Sequence, residues 1–439
     1  MSVALTINGE RVTFSDITPT TTLLDWLREQ RSLTATKEGC AEGDCGACSV
    51  IVIDPLAEGG ASPRTVNACL IFVASLHGCT VFTAEHLADA AHPVTAALID
   101  NAGSQCGYCT PGFAMALTEA CHRTDITTPA KEDDQLCGNL CRCTGYRPQR
   151  ASLQALAGSQ PDDAVARAMD HAESAAAVDL SNENRLFLQP PDEAALFQAM
   201  AQHKTRTIVA GGTDVGLQVT MHGAAPQVVI SLQAIPSLRQ LNVTGQVLTI
   251  GACTPLSDLE QFSEKHLPVL ANALAYFGSR QIKNRATLGG NLVNASPIGD
   301  TAPILLALDA TIIVSGPLGE RQIPIADWFV EYRKTALADN EIVKAVRLNI
   351  PPQTAHTAYY KVSKRRELDI STVAGAFQLQ VQDGQIAYAR VAYGGMAATP
   401  IRAKAVEQHL VGRPFNESTI AQAVTLLRKT LTPLSDHRG

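Results

Sequence analysis

The sequence lacks an excess of positive charge. Its 439 residues include 35 Lys and Arg against 42 Asp and Glu, which gives a formal net charge of -7 at pH 7. Proteins that bind nucleic acid or an anionic membrane surface usually present clustered basic residues. We therefore expect no nucleic-acid partner and no membrane partner.

Long hydrophobic runs are also missing. No window of the sequence approaches the length of a transmembrane helix, and residues 1–14 lack the basic start and continuous apolar stretch of a secretory signal. The contents of 46% hydrophobic and 18% charged residues are ordinary values for globular proteins. A chain of this length is expected to form several hydrophobic cores. The sequence predicts a multidomain cytoplasmic protein.

Cysteine is nearly absent from the last two thirds of the chain. Of twelve cysteines, eleven precede residue 150 and only Cys253 follows it. A reducing cytoplasm disfavours disulfides. Eleven cysteines in one region therefore indicate metal ligation. The metal chemistry is predicted to be N-terminal.

Local patterns predict two small domains before residue 158. Apolar and polar residues alternate on both sides of Asn8-Gly9, which is typical of a β-hairpin, and Thr22 is placed to cap a short helix. These features predict a β-grasp-like domain over residues 1–87. Pro111 is placed to begin a helix within a second, α-helical domain over 88–157.

The remainder of the chain predicts a connecting segment and two mixed domains. Residues 158–184 have little large apolar content and are predicted to be a linker. Strand-like and helical stretches alternate over 185–350, and Pro351-Pro352 marks a break. Strands flanking Asp383-Gly384 predict a hairpin in a final α+β domain over 353–439. The fold class is therefore multidomain α+β.

The first cysteine set has the spacing of a plant-type ferredoxin. Cys40, Cys45 and Cys48 follow one another at four and two intervening residues, and Cys69 comes twenty residues later. Three thiolates on one tight loop and a fourth from elsewhere can hold two irons, and the glycines of the loop allow backbone N–H groups to approach the sulfurs. A structural zinc site is the alternative, but zinc ligands usually come as two CxxC-like pairs.

The second cysteine set is less regular. Cys106 and Cys109 form one pair, and Cys141 and Cys143 form another far downstream. Two pairs at two helix ends can also enclose a 2Fe-2S cluster. Cys121 and Cys137 lie between the pairs, and spacing alone leaves open which four cysteines are the ligands.

The two motifs, in this order, resemble the iron-sulfur portion of the molybdenum hydroxylases, the xanthine dehydrogenase and aldehyde oxidase family. The resemblance implies a ferredoxin-like 2Fe-2S cluster on Cys40, Cys45, Cys48 and Cys69, and a second on Cys106, Cys109, Cys141 and Cys143. It also implies that Gln105 lies near the molybdenum cofactor of a partner. Cys79, Cys121, Cys137 and Cys253 are then expected to be buried apolar residues.

Two glycine-rich loops, residues 209–216 and 286–291, follow apparent strands in the third domain. They can wrap a pyrophosphate with backbone N–H groups, although neither has the GxGxxG spacing of a Rossmann fold. With the segment 294–300 they resemble the FAD domain of the same family, which is of the vanillyl-alcohol-oxidase type. The resemblance implies FAD contacts from these residues: Val209, Ala210, Gly211, Gly212, Thr213, Asp214, Val215, Gly216, Phe277, Thr287, Leu288, Gly289, Gly290, Asn291, Asp300 and Lys361. Asp300 could alternatively cap the helix that follows it.

The resemblance implies an electron-transfer subunit. A 2Fe-2S cluster passes single electrons, and FAD collects two and releases them as a hydride. We expect electrons to run from the molybdopterin cofactor of a large partner subunit through the Cys106 cluster, the Cys40 cluster and FAD to NAD. The expected reaction is oxidation of hypoxanthine and xanthine to urate. An aldehyde or an N-heterocycle is the alternative substrate, and a zinc-stabilised scaffold protein is an alternative of another class.

Overall fold

The protein is described by a computed structural model that covers residues 2–56, 60–88, 92–170, 177–182 and 185–433. The chain divides into two units. The first comprises Met1–Pro236 with Gly278–Ala286, and the second comprises Ser237–Phe277 with Thr287–Gly439. Among the described residues, none of the helices combines the length and apolar content that a membrane span requires.

The first elements form a five-stranded sheet in the order β2-β1-β5-β3-β4. The predicted hairpin is present, with Asn8 and Gly9 at positive φ in its turn, and the Thr22 hydroxyl accepts from Asp25 N as predicted. This region also contains a π-helical turn, Trp26–Gln30, and three 3-10 turns, Ala68–Leu70, Val73–Leu76 and Ala84–Leu87. The strands and helix are β1 Val3–Ile7, β2 Glu10–Phe14, α1 Leu23–Asp25, β3 Ser49–Ile53, β4 Pro63–Asn67 and β5 Thr80–Phe82.

Four α-helices follow, in the stretch where the sequence predicts an α-helical domain. Pro111 lies in the first turn of its helix because a missing N–H is harmless there. The core of these helices includes Ile51 and Ile53 of β3, whose other neighbours Val50 and Val52 belong to the core of the sheet. β3 is therefore buried on both faces. The helices are α2 Pro93–Asp100, α3 Thr110–Cys121, α4 Pro129–Leu136 and α5 Arg147–Leu156.

The segment predicted to be a linker, 158–184, contains regular structure where it is described. It forms a helix and a strand, and the strand pairs with the next one along the chain in a sheet of order β6-β7-β9-β8. Val178 and Leu180 alternate inward on that strand, a signal too short to stand out in a polar segment. The elements are α6 Ala164–Asp170, β6 Val178–Asn182, β7 Arg185–Gln189, α7 Glu193–Gln202, β8 Thr207–Val209, α8 Thr213–His222 and β9 Val228–Ser231.

The second unit contains a five-stranded antiparallel sheet in the order β10-β11-β16-β12-β13. One short helix in this stretch, α11, belongs to the first unit. The elements are β10 Leu241–Thr244, β11 Val247–Gly251, α9 Leu256–His266, α10 Pro268–Leu274, α11 Arg280–Lys283, α12 Leu288–Asn294, α13 Thr301–Ala307, β12 Thr311–Gly316, β13 Gly319–Pro324, β14 Phe329–Glu331, β15 Lys334–Thr335 and β16 Ile342–Asn349.

The chain ends in a four-stranded antiparallel sheet and two helices. The predicted hairpin at Asp383-Gly384 is present, and both turn residues have positive φ. Ile386 and Val391 of the sheet pack with Val406 and Leu410 of a helix. The elements are β17 Ala355–Val362, β18 Val373–Gln382, β19 Gln385–Gly394, β20 Ile401–Arg402, α14 Lys404–Leu410 and α15 Glu417–Thr430.

Candidate iron-sulfur and flavin sites

Three cysteines of the first set, Cys40, Cys45 and Cys48, lie on an irregular loop that enters β3. Ala41, Gly43 and Gly46 have positive φ, which curls the backbone around the thiol of Cys40. The N–H groups of Glu42, Asp44 and Cys45 donate to Cys40 Sγ at 3.5, 3.3 and 3.3 Å. A Cβ atom at Gly39 would lie 2.6 Å from Cys45 Sγ, so only glycine fits beside that sulfur. The loop is shaped to present N–H groups to sulfur.

The four thiols of this set form two pairs. The Cys45 thiol donates to Cys40, and this bond, with the three backbone N–H groups, lowers the pKa of Cys40 to about 5 against the opposing effect of burial. Cys48 Sγ and Cys69 Sγ are 3.4 Å apart in the buried interior, with Cys69 on the turn after β4. The pKa of Cys48 is lowered by its bond with Cys69.

The second set also forms two pairs. Cys106 and Cys143 share a hydrogen bond, and the pKa of Cys106 is lowered by the Tyr108 N–H and by the Cys143 thiol. Cys109 and Cys141 share another, and burial followed by that bond raises the pKa of Cys109 to about 12. Cys106 and Cys143 are exposed, whereas Cys141 is buried. The structure therefore gathers the eight predicted ligands into four pairs.

Paired sulfurs suit a centre with two irons, because each iron of a 2Fe-2S cluster takes two protein thiolates. No three His, Cys, Asp or Glu side chains in the described parts of the chain converge as ligands of a single ion. Cys137, the alternative ligand, donates its thiol to the Asp134 carbonyl at 3.3 Å. Burial raises the pKa values of Cys121 and Cys253 to about 11 and about 12, as for inert thiols.

The first part of the predicted flavin site lies in the first unit. Residues 209–216 run from the end of β8 into α8, with Gly212 at φ 84° as the N-cap. A Cβ at Gly211 would overlap the Arg285 carbonyl, and one at Gly216 would overlap the Leu70 carbonyl. The loop thus packs directly against the turn that carries Cys69.

The other predicted flavin residues lie in the second unit. The Thr287 hydroxyl accepts from Gly290 N at 3.1 Å and caps α12, and Gly289 packs against Ala252. The Asn291 amide oxygen accepts from the Thr301 hydroxyl at 2.5 Å. Residues 287–291 are therefore held beside the start of α13, next to Asp300. Phe277 follows α10 and is partly buried.

Asp300 occupies the N-cap position of α13 without capping it. No side-chain cap hydrogen bond forms; instead, the carboxylate accepts from Lys361 Nζ at 2.9 Å and from the Ser371 hydroxyl. Lys361 Nζ also donates to the Tyr276 carbonyl at 2.8 Å, and its side chain is only 1% exposed. The alternative of a helix cap is wrong, because charge-assisted bonds to lysine outcompete the backbone N–H groups. The structure brings Asp300, Lys361 and the residue before Phe277 together.

These contacts fit the cofactors implied by the sequence. The cysteine loops offer paired sulfurs with N–H donors, and Gly212 presents backbone at the start of α8 with no Cβ in the way. Sequence reasoning missed two buried side chains beside the cysteine loops, Asn139 and Gln281. Asn139 lies two residues before Cys141, where its polar side chain was the available signal, and Gln281 carries no local signal.

Four family models match consecutive parts of the chain. They are a 2Fe-2S iron-sulfur cluster binding domain at residues 5–74, a [2Fe-2S] binding domain at 83–154, an FAD binding domain in molybdopterin dehydrogenase at 181–352 and a CO dehydrogenase flavoprotein C-terminal domain at 358–439. The fold and the matched domains define an iron-sulfur flavoprotein with two 2Fe-2S clusters and one FAD, and they confirm the multidomain α+β fold class.

The four models together, with the relatives below, support an iron-sulfur and FAD subunit of the molybdenum hydroxylase family. Curated relatives include a xanthine dehydrogenase of Drosophila subobscura, 28% identical over 96% of this chain and 36% of that protein. Another is xanthine dehydrogenase 1 of Arabidopsis thaliana, 29% identical over 99% of this chain and 38% of that protein. The chain therefore spans little more than a third of the length of these relatives.

Solved structures resemble a little more than half of the chain. A chain of carbon monoxide dehydrogenase from Hydrogenophaga pseudoflava has a TM-score of 0.56 at 26% identity, covering 58% of this chain and 89% of that one. A chain of quinoline 2-oxidoreductase from Pseudomonas putida 86 has a TM-score of 0.53 at 25% identity, covering 57% and 87%. Relatives named for different substrates thus share the fold of more than half of this chain.

Proposed function

We propose that this chain relays electrons from a molybdopterin cofactor on a large partner subunit to NAD, during oxidation of hypoxanthine and xanthine to urate. The ligands are Cys40, Cys45, Cys48 and Cys69 for one cluster and Cys106, Cys109, Cys141 and Cys143 for the other. FAD is held by residues 209–216 and 287–291 with Phe277, Asp300 and Lys361. The domains are those at 1–87, 88–157, 185–350 and 353–439, and the complex is cytoplasmic.

The order of the thiol pairs in the first unit is the observation that carries the proposal. Cys106 and Cys143 are exposed, where a partner can approach them. Leu140 N, beside Cys141, donates to the Cys45 carbonyl at 2.9 Å and joins the two sets. The turn of Cys69 packs against Gly216 of the predicted flavin loop. Direct contacts therefore connect the exposed thiols, through both cysteine sets, to the predicted flavin loop at 209–216.

The cofactors supply one-electron transfer at the clusters and hydride transfer at the flavin. The chain supplies positioning and electrostatics. Backbone N–H groups aimed at Cys40 Sγ favour the thiolate, and burial of Cys48 and Cys69 keeps water from that pair. The Lys361 ammonium balances Asp300, so both charges can stay buried in the second unit.

The substrate and acceptor rest on the relatives. The curated proteins that match 96% and 99% of this chain carry the name xanthine dehydrogenase. Purine oxidation with NAD as acceptor is the function that agrees with that name. A molybdopterin-binding partner is required in this proposal, because the matched domains bind only iron-sulfur clusters and FAD.

A second candidate is the equivalent chain of another molybdenum hydroxylase, acting on an aldehyde or an N-heterocycle. The structural likeness to quinoline 2-oxidoreductase and carbon monoxide dehydrogenase favours it, because those chains share this fold. Both candidates use the same residues of this chain and differ in the partner and the final acceptor.

Two measurements test the proposal. The purified complex with its partner should form NADH when given xanthine, and activity restricted to an aldehyde or quinoline would favour the second candidate. The chain alone, kept anaerobic, should lose its flavin absorbance on addition of NADH. A flavin that stays oxidised with NADH but is reduced by dithionite would contradict NAD as the acceptor.

A further inference from the structure

A buried polar junction joins the two cysteine loops. Asn139 is 2% exposed, and its Nδ2 donates to the Gly46 carbonyl at 3.1 Å and to Ser49 Oγ at 3.4 Å. Its Oδ1 accepts from Nε2 of Gln281, which is 1% exposed, at 2.8 Å. One side chain thus bonds the loop of the first cysteine set and the segment 278–286.

Three glycines allow the backbones to meet at this junction. A Cβ at Gly46 would overlap the Gly138 carbonyl, and one at Gly112, in the first turn of α3, would overlap the Gly46 carbonyl. A Cβ at Gly138 would overlap Gln281 Oε1. Because these overlaps are with backbone or with a fully buried amide, larger residues would force the two cysteine loops apart.

The junction also adjoins a backbone hydrogen bond that links the two cysteine sets. Asn139 immediately precedes Leu140, whose N–H donates to the Cys45 carbonyl. Cys45 and Cys141 are therefore connected by a few covalent bonds and a single hydrogen bond. Holding Asn139 to Gly46 holds that hydrogen bond in place.

We propose that Asn139 is a positioning residue that sets the spacing and orientation of the two clusters, and that Gln281 fixes the Asn139 amide. This rests on the proposed ligands. Cys106, Cys109, Cys141 and Cys143 would hold the cluster that gives up one electron, and Cys40, Cys45, Cys48 and Cys69 would hold the cluster that takes it up, with no bond made or broken and no proton moved. The Asn139 and Gln281 side chains do not carry the electron; both act through the backbone of Gly46, Leu140 and Cys45.

The test compares Asn139→Ala with Asn284→Ala. Asn284 is equally buried, on the segment that carries Gln281, but its amide donates to the Thr65 carbonyl at 2.9 Å and to Glu119 Oε1 at 3.3 Å. In dithionite-reduced Asn139→Ala we expect weaker magnetic interaction between the clusters in paramagnetic resonance spectra. After photoreduction of the bound flavin, the Cys106 cluster signal should appear roughly tenfold more slowly. Asn284→Ala should match the wild type in both.

Gln281→Ala provides a second variant should Asn139→Ala fail to fold. It leaves the Asn139 bond to Gly46 available and should give a smaller change in the same direction. Unchanged magnetic interaction and transfer rate in a fully loaded variant would overturn the inference, as would an equal change in Asn284→Ala. Absence of either cluster from the wild type would instead overturn the proposed ligands, so the two failures are distinguishable.

Discussion

At the scale of single residues, the eight cysteines are distinguished by pairing rather than by burial. Cys106 is exposed and Cys69 is buried, yet each has a thiol partner from its own set. Cys137 is partly buried and bonds a backbone carbonyl instead. Spacing alone did not decide whether Cys137 is a ligand, because sequence separation does not show which way a thiol points.

Replacing Cys106 by Ser should remove one cluster while FAD stays bound. The serine hydroxyl is a poor ligand for iron, so iron should fall from about four to about two atoms per chain. One of two paramagnetic resonance signals should disappear. Cys137→Ser is the matched control and should keep both; loss of a signal in the control, or retention of both in Cys106→Ser, would reverse the ligand assignment.

At the scale of elements, the short helix α11 is anchored by buried charges. Lys283 has a fully buried side chain, and its Nζ lies 2.5 Å from Asp134 Oδ1 on α4. Arg280 Nε lies 3.1 Å from Glu119 Oε1 on α3. Burial opposes the charge on Asp134, but Lys283 and the nearby arginines keep its pKa well below the usual value. These pairs bind α11 to the helical iron-sulfur domain.

Lys283→Met should destabilise the protein by about 3 kcal/mol, because it leaves the Asp134 carboxylate buried with less compensation. Thermal or urea unfolding of the variant measures the loss. Lys131→Met removes a partly exposed cation that lies 3.7 Å from Asp125 and should change stability by less than about 1 kcal/mol. Equal losses of unfolding free energy in both variants would show that the buried Lys283–Asp134 pair stabilises the protein no more than the partly exposed pair does.

The packing of α8 gives a separate expectation. Gly216→Ala places a methyl group against the Leu70 carbonyl, so helix and turn must separate at a cost of about 1–3 kcal/mol. We expect a lower unfolding temperature and less FAD per iron in the purified variant. Gln218→Ala, at an exposed position of the same helix, should change neither quantity. Normal FAD content in Gly216→Ala would argue against this contact as a support of the flavin loop.

Local chemistry made several elements predictable and left others hidden. The turns at Asn8-Gly9 and Asp383-Gly384, the Thr22 cap and the Pro111 start depend on neighbouring residues, which the sequence displays. The strand β6 stayed hidden because its inward alternation is short and lies in a polar segment, whereas the Asn139 junction depends on partners far along the chain. A helix after Asp300 was predicted and is present, but the Asp300 carboxylate does not cap it and instead bonds Lys361 and Ser371, which lie on a distant strand and loop.

At the scale of the whole molecule, the matched domains give one chain with two kinds of redox centre. Their order along the chain, iron-sulfur first and FAD after, agrees with the cysteine motifs and glycine loops in the sequence. The ferredoxin spacing and the second motif were specific enough to indicate the family. The substrate was not predictable to the same degree, because relatives named for xanthine, quinoline and carbon monoxide all match this chain.

Iron and flavin content, measured with paramagnetic resonance on the same sample, tests the central claim most directly. Protein reconstituted anaerobically should contain about four irons and one FAD per chain, and after reduction it should show two distinct 2Fe-2S signals. A colourless protein that contains zinc and no iron, or one with a single cluster at full occupancy, would contradict the account.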